Sequence, residues 1–267
     1  MKAFIVDSFT NEPFKGNPAG VCIQDQEISA EKMQLIAKEF NLSETAFIIK
    51  TGKETEYSIR YFSPKMEIPL CGHATLASAK VLFESTTLSK VRFITGQNLE
   101  LLIRKSKNNI IMEFPVYDVE EAEVPERMPE ALGIKEITCC AYNSENNMLL
   151  LEIDDPILLK ELKPDFEALL KTHNSIHGVL VTSPSDNSHF DFYSRYFWPW
   201  SGSNEDPVTG ATHTFLANYW SKKLGKKKMR SYQASERSGF MEVELTDDNR
   251  LLIKAQAIVV LEGNLFI

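Results

Sequence analysis

The chain is predicted to fold as an α+β protein, and three observations carry that expectation. A strand, a polar elbow containing glycine and an apolar helix follow one another twice. The helices stand among many short strands with hairpin-like spacing. Neither G-x-G-x-x-G nor G-x-x-x-x-G-K-[ST] occurs, so a dinucleotide or P-loop site has no support.

The first unit runs from Tyr57–Phe62 through Pro64 and Pro69 to Cys71-Gly72-His73, and on to the small helix formers Ala74, Leu76, Ala77 and Ala79. Glycine suits a sharp entry into a helix. The first N–H groups of such a helix lack intrahelical partners and sit at the positive end of the dipole, which suits a carboxylate or phosphate. The second unit runs from Phe190–Phe197 through Trp198-Pro199-Trp200-Ser201-Gly202 to Glu205-Asp206-Pro207-Val208-Thr209-Gly210, then into Phe215–Trp220. A repeated unit implies two similar halves.

Taken in order, Phe4–Phe9 and Val21–Ile23 read as strands around a loop at 10–20. Ser29 is placed to cap a helix over Ala30–Phe40, with Met33, Ile36, Ala37 and Phe40 on one face. Val91–Thr95, Leu99–Arg104 and Asn109–Phe114 form hairpins. The acidic stretch Asp118–Glu126 reads as a linker. The expected division is 1–118 and 119–257, with a terminal strand near 258–267 returning to the first lobe. The second half repeats the plan: a short helix at Glu126–Leu132, strands at Ile137–Tyr142 and Met148–Ile153, then helices near Pro156–Leu162 and Pro164–Lys171. Strands at Gly178–Thr182 and Phe190–Phe197 lead to the second elbow and a helix reaching about Lys223. Four closing strands follow, at Met229–Ala234, Gly239–Leu245, Arg250–Ala255 and Ile258–Leu261.

The 267 residues carry a net charge of −8, against a general nucleic-acid surface. The one basic cluster, Lys222–Lys228, reads as a solvated turn at a helix C-terminus. No apolar run approaches the ~20 residues of a membrane span. The segment Met1–Asp7 places an acid in its apolar run and lacks a signal-peptide layout, so a cytoplasmic location is expected. Cys22, Cys71, Cys139 and Cys140 form no C-x-x-C pair, and His173, His177 and His189 show no ligand spacing, so no metal is expected.

Individual residues keep two readings. Glu44, just before an apolar strand, is either a desolvated general base with a raised pKa or a solvent-facing turn residue, the commoner case for glutamate. His73 is a cap or a ligand contact. Asp206, before Pro207, is an N-cap or a catalytic group. Cys71 is read as a packing residue whose side chain need not meet His73, and His213 as structural. Trp198 and Trp200 read equally as walls of a cleft or as core.

Five stretches in order resemble one family: Asp7-Ser8-Phe9-Thr10 with Gly16-Asn17-Pro18-Ala19; Leu42-Ser43-Glu44-Thr45-Ala46-Phe47; Cys71-Gly72-His73-Ala74-Thr75-Leu76; Arg195-Tyr196-Phe197; and Glu205-Asp206-Pro207-Val208-Thr209-Gly210. Together they resemble the PhzF-like phenazine-biosynthesis isomerases, of the diaminopimelate epimerase-like fold. That resemblance implies two similar lobes, each a barrel-like sheet around a central helix, with the active site in the cleft between them. It implies a cofactor-independent isomerase or epimerase of a small carboxylate, frequently a homodimer. It makes Glu44 the general acid/base, with His73 and Asp206 as polar partners. Asn17 then lines the cleft, and backbone N–H groups near Gly72, His73, Gly210 and Ala211 hold the substrate carboxylate.

Two departures stand out. Ala211 replaces the family's usual serine, a hydroxyl that neighbouring Thr212 is expected to supply. The second thiol position of the true epimerases is Asp206, which disfavours a two-cysteine racemisation. A non-catalytic carboxylate binder and a thiol-dependent racemase using Cys71 are the alternatives.

Overall fold

Alternating burial along the chain sets out the strands in the computed structural model, which describes residues 1–267. β1 (Lys2–Ser8) and β2 (Asn17–Gln24) pair antiparallel. α1 (Ala30–Phe40) then carries the chain over to β3 (Glu44–Lys50), parallel to β2 with Ala19 opposite Glu44. A parallel pair needs such a crossover. The Ser29 hydroxyl accepts from the Lys32 N–H to cap α1, and Met33, Ile36 and Ala37 face inward against Phe47 and Phe62. Those two rings meet edge to face at 5.5 Å.

β4 (Glu56–Phe62) pairs antiparallel with β3 and with the two-residue β5 (Glu67–Ile68). α2 (Gly72–Ser85) follows and leads to β6 (Lys90–Thr95), parallel to β4. β7 (Glu100–Ser106) and β8 (Asn109–Pro115) continue as antiparallel hairpins. Ten of the fourteen α2 residues are buried, so this helix is core on every side. Its small residues Ala74, Ala77, Ser78 and Ala79 allow the sheet to approach closely.

The second lobe repeats that order. β9 (Glu120–Glu121) and α3 (Met128–Leu132) precede β10 (Cys139–Asn143), which pairs antiparallel with β11 (Met148–Glu152). α4 (Pro156–Glu161) and α5 (Phe166–Leu170) cross over to β12 (Gly178–Pro184), parallel to β11. β13 (Phe192–Trp198) pairs antiparallel with β12 and with the short β14 (Ser203–Asp206), as β4 does with β3 and β5. α6 (His213–Leu224) leads to β15 (Lys228–Gln233), parallel to β13, and β16 (Gly239–Leu245) closes the hairpin. Trp220 on α6 stacks on Phe192 at 5.5 Å, and its indole N–H donates to Thr182 Oγ1. The core beside it gathers Leu132, Leu151, Leu159, Leu169, Val179 and Phe197.

β17 (Arg250–Ala255) and β18 (Ala257–Asn264) return to the first lobe. β18 lies antiparallel to β1 with a register shift between Ile5 and Val6, and β17 pairs with β8. The two compact units are therefore Met1–Glu113 with Leu252–Ile267, and Phe114–Leu251. The return begins at Leu252 rather than near 258, because β17 as well as β18 finds its partner there. β9 falls in the stretch read as a linker, and β5 and β14, ahead of the two elbow helices, were likewise not read as strands from sequence. Both are too short and polar to show alternation, and β13 or β4 supplies the pairing that makes them strands. No helix is long and apolar enough to cross a membrane.

Candidate active site

In the first lobe the elbow before α2 is braced from two strands, β1 and β4. Cys71 is extended (φ −143°, ψ 112°), and Gly72 opens the helix without a left-handed φ, so the turn does not use glycine's extra freedom. Ser8, at the end of β1, donates to the His73 carbonyl at 2.8 Å. Thr75 Oγ1 donates to the Cys71 carbonyl at 2.7 Å and lies 2.5 Å from the buried Tyr61 hydroxyl on β4. The Asp7 carboxylate accepts the Phe14 N–H at 2.6 Å and anchors the loop between β1 and β2.

β2, β3 and α2, with the residues just before β3 and α2, bring polar side chains to this elbow. Glu44, the first residue of β3, places Oε2 3.1 Å from His73 Nε2. Ser43 Oγ lies 3.4 Å from the same nitrogen and 3.4 Å from Asn17 Oδ1. Cys71 Sγ lies 3.4 Å from His73 Nδ1. Glu44, Cys71, His73 and Asn17 are all nearly or fully buried. The cysteine and histidine side chains do meet, contrary to the sequence reading, because the extended residue and the first helical turn fold both onto one side.

The charges settle against expectation too. Burial opposes the Glu44 carboxylate, but hydrogen bonding and charge from His73, with help from Ser43 and Cys71, hold it below the usual carboxylate value rather than above it. Burial likewise opposes the His73 imidazolium, yet the Cys71 sulfur and the Glu44 carboxylate flanking the ring keep its pKa well above 6.5. Burial pushes the Cys71 thiol up, against the opposing pull of the His73 charge beside it. At an effective dielectric of about 20 the attraction across the Glu44–His73 pair is about 5 kcal/mol. That is comparable to the several kcal/mol of desolvation per ion, and the added hydrogen bonds tip the balance toward the charged forms.

The second elbow is bolted to β15. The Asp206 carbonyl accepts from Gln233 Nε2 at 2.7 Å, and its carboxylate accepts from the Thr209 hydroxyl. The Thr209 N–H donates to Gln233 Oε1 at 2.9 Å. The cap position of α6 is Thr212, so Asp206 is no N-cap; it closes its own turn six residues earlier. The fully buried Thr212 hydroxyl donates to the Thr209 carbonyl at 2.9 Å and is not available to replace the missing serine hydroxyl. Gly210 is buried and Ala211 exposed; their carbonyls accept from the His213 and Thr214 N–H groups at 3.1 Å each.

His213 is fully buried, and burial lowers its pKa to about 4, so the ring is neutral. A carbonyl only accepts; Nδ1, 3.0 Å from the Thr209 oxygen, therefore carries the proton, and Nε2 accepts from the Ser231 hydroxyl at 2.5 Å. This histidine is a structural bolt. Trp200 donates to the His173 carbonyl at 2.9 Å within the second lobe.

Ser43, Thr209 and Gln233 were not singled out from sequence. Ser43 had a signal, since it adjoins Glu44 within the quoted motif; Gln233 had none, lying 27 residues beyond the carbonyl it holds. The ligating atoms of Glu44, Cys71 and His73 all lie within 4.8 Å of one another, a grouping that could hold a metal ion.

Comparison with known proteins agrees with this architecture. The family model described as phenazine biosynthesis-like protein matches residues 6–263. A phenazine biosynthesis-like domain-containing protein 2 of Mus musculus is 40% identical, covering 98% of each chain. An uncharacterized isomerase of Halalkalibacterium halodurans is also 40% identical, over 99% of this chain and 98% of its own. The crystal structure of a PhzF-family phenazine biosynthesis protein from Enterococcus faecalis superposes with a TM-score of 0.92 at 36% identity, covering 100% of this chain and 99% of that one. With its two lobes repeating one α+β topology and the match spanning nearly its whole length, this chain belongs to the phenazine biosynthesis-like PhzF family, of the diaminopimelate epimerase-like fold.

Proposed function

We propose that the protein is an isomerase that moves a proton between carbons of a small carboxylate-bearing substrate, with Glu44 as the group that takes and returns the proton. The observation that carries this reading is the buried Glu44–His73 pair at 3.1 Å. Held below its usual pKa, Glu44 is in its basic form at neutral pH. His73 beside it keeps a proton to stabilise charge that develops on the substrate. The Gly72 and His73 N–H groups, in the first turn of α2, suit the substrate carboxylate. Asp206 is assigned a share in the same reaction through its place in the second elbow motif. The isomerase name carried by the Halalkalibacterium relative is consistent with this reading.

The test is solvent-deuterium incorporation into a panel of small amino-acid-like and cyclic carboxylates. The parent protein is expected to exchange at least one of them. Glu44→Gln is expected to lose exchange by about 10²–10⁴-fold, the usual worth of a general base, with an unchanged circular dichroism spectrum. Exchange retained in Glu44→Gln refutes the assignment. The raised Cys71 pKa counts against a thiol base; Cys71→Ala is expected to exchange within a few-fold of the parent, and a loss matching Glu44→Gln would favour the thiol route instead.

A further inference from the structure

We propose that the second lobe carries a subsite for an uncharged carbonyl oxygen, a ketone or a primary amide, on a small carboxylate ligand, with Tyr196 and Trp198 as its two donors. Five buried side-chain polar atoms have no hydrogen-bond partner within the chain, and three of them belong to Ser194, Tyr196 and Trp198. These residues alternate along β13 and so share one face of the strand. Phe192 begins the same row and stacks on Trp220, so that face looks toward α6. An unpaired buried donor is costly, and native chains carry few. Three in one row mark a place kept for a ligand rather than a lapse of packing.

The surroundings choose the ligand. Tyr196 is 2% exposed, and its ring lies over Gly178, where a Cβ would meet the hydroxyl at 2.5 Å. The glycine thus makes the slot that the phenol fills. Trp198 is only partly buried, yet its N–H is closed to solvent, so the indole turns its donor inward. The two rings lie 6.0 Å apart and 31° from parallel, within the span of one small ligand. Asp206 stands directly across from Tyr196 on β14, with its side chain on the same face. Burial raises the Tyr196 pKa and the Asp206 charge adds to it, so the phenol keeps its proton. An indole N–H only donates. Two neutral donors call for an acceptor, and the Asp206 carboxylate disfavours an anion beside them. A carbonyl oxygen, with two lone pairs and no charge, meets both conditions. The row is also tied to the start of α6. His177, next to Gly178, places Nδ1 3.1 Å from the Asn146 carbonyl, and the Asn146 amide reaches Thr214 Oγ1 at 3.2 Å in the first helical turn. The positive end of that helix suits the ligand's carboxylate. That this ligand is the substrate rests on the proposed isomerase reading, whereas the binding itself does not.

Isothermal titration calorimetry on the full-length protein tests this with three probes: levulinate, a ketone; succinamate, an amide; and isocaproate, a carboxylate of the same shape with methyl groups in their place. At least one carbonyl probe is expected to bind about 10–100-fold more tightly than isocaproate, which leaves the buried donors unpaired. Tyr196→Phe is expected to lose at least about 10-fold of that preference, and Trp198→Phe to lower it as well. The urea midpoint of Tyr196→Phe is expected at or above that of the parent, because the variant discards an unpaired hydroxyl. Tyr193→Phe is the contrast. Its hydroxyl donates to Asp186 at 2.7 Å, so this change is expected to lower the midpoint and to keep the carbonyl preference. The proposal is overturned by a parent without carbonyl preference, or by an unchanged preference in Tyr196→Phe. A midpoint lowered in Tyr196→Phe as in Tyr193→Phe also overturns it, since the hydroxyl then serves the fold. Carbonyl preference in a protein that exchanges no deuterium would keep the subsite and remove the isomerase reading. Exchange that depends on Glu44, without carbonyl preference, would do the reverse.

Discussion

Glu44 and His73 show why burial alone does not set the state of a group. Each is opposed by desolvation, and each is held in its charged form by the other. His213 has no such partner, and the same burial drives it to about 4. The unfolded chain therefore binds a proton between about 4 and the ordinary 6.5 that the folded one refuses. Its contribution is complete above about 6.5 and is lost as pH falls toward 4, by up to about 3 kcal/mol. Urea-unfolding free energies of the parent and His213→Gln are expected to draw together as pH falls from 7 to 4.5; a constant gap would refute a neutral buried ring. Gly16 makes a second residue-scale test. It sits at φ +67°, and a Cβ there would meet the Ser8 carbonyl oxygen at 2.1 Å. Gly16→Ala must displace the backbone of the strand that braces His73, and it is expected to cost more than about 2 kcal/mol by denaturant unfolding, above an ordinary surface change.

At the scale of elements, the two elbows are polar clamps around core helices. Thr75→Val leaves the Tyr61 hydroxyl, buried in the first lobe, without its partner. A loss of about 1–3 kcal/mol is expected in chemical unfolding, the cost of an unpaired buried donor. On the surface of the second lobe, the Asp155 carboxylate accepts from the Ile157 and Leu158 N–H groups at 2.9 Å each to start α4. Asp155→Ala is expected to lose about 1 kcal/mol, as caps do, and an unchanged unfolding midpoint would show that α4 is held by packing alone. α1 and its inward face were legible in the sequence because a capping serine and a 3.6-residue pattern are local signals. The start of α6 was not: its cap falls at Thr212, and what fixes the preceding turn is Gln233 and Ser231 on a later strand.

At the scale of the molecule, the two lobes share one order of pairing, and the C-terminal strands complete the first. β18 pairs with β1 along its whole length. Deleting Ala257–Ile267 is expected to abolish amide hydrogen-exchange protection in β1 and β2. Val179–Val181, in the second lobe's core, are expected to keep theirs. Equal loss in both lobes would mean that they unfold as one unit.

The sequence by itself determined the α+β class, the duplicated strand–elbow–helix plan, most strands and helices, and the residues Glu44, His73 and Asp206 that lead the functional reading. The class, the plan and the elements follow from periodicity, caps and short motifs, which act over a few residues; the leading place of the three residues follows from the resemblance to the PhzF-like family. The tertiary structure alone decided where the first lobe recovers the chain, how β5 and β14 become strands, and that Cys71 joins His73 and Glu44. It also decided the direction in which the Glu44 and His73 charges settle. Each of these depends on groups far apart in the chain meeting in a low-dielectric interior, and no local pattern encodes such a meeting.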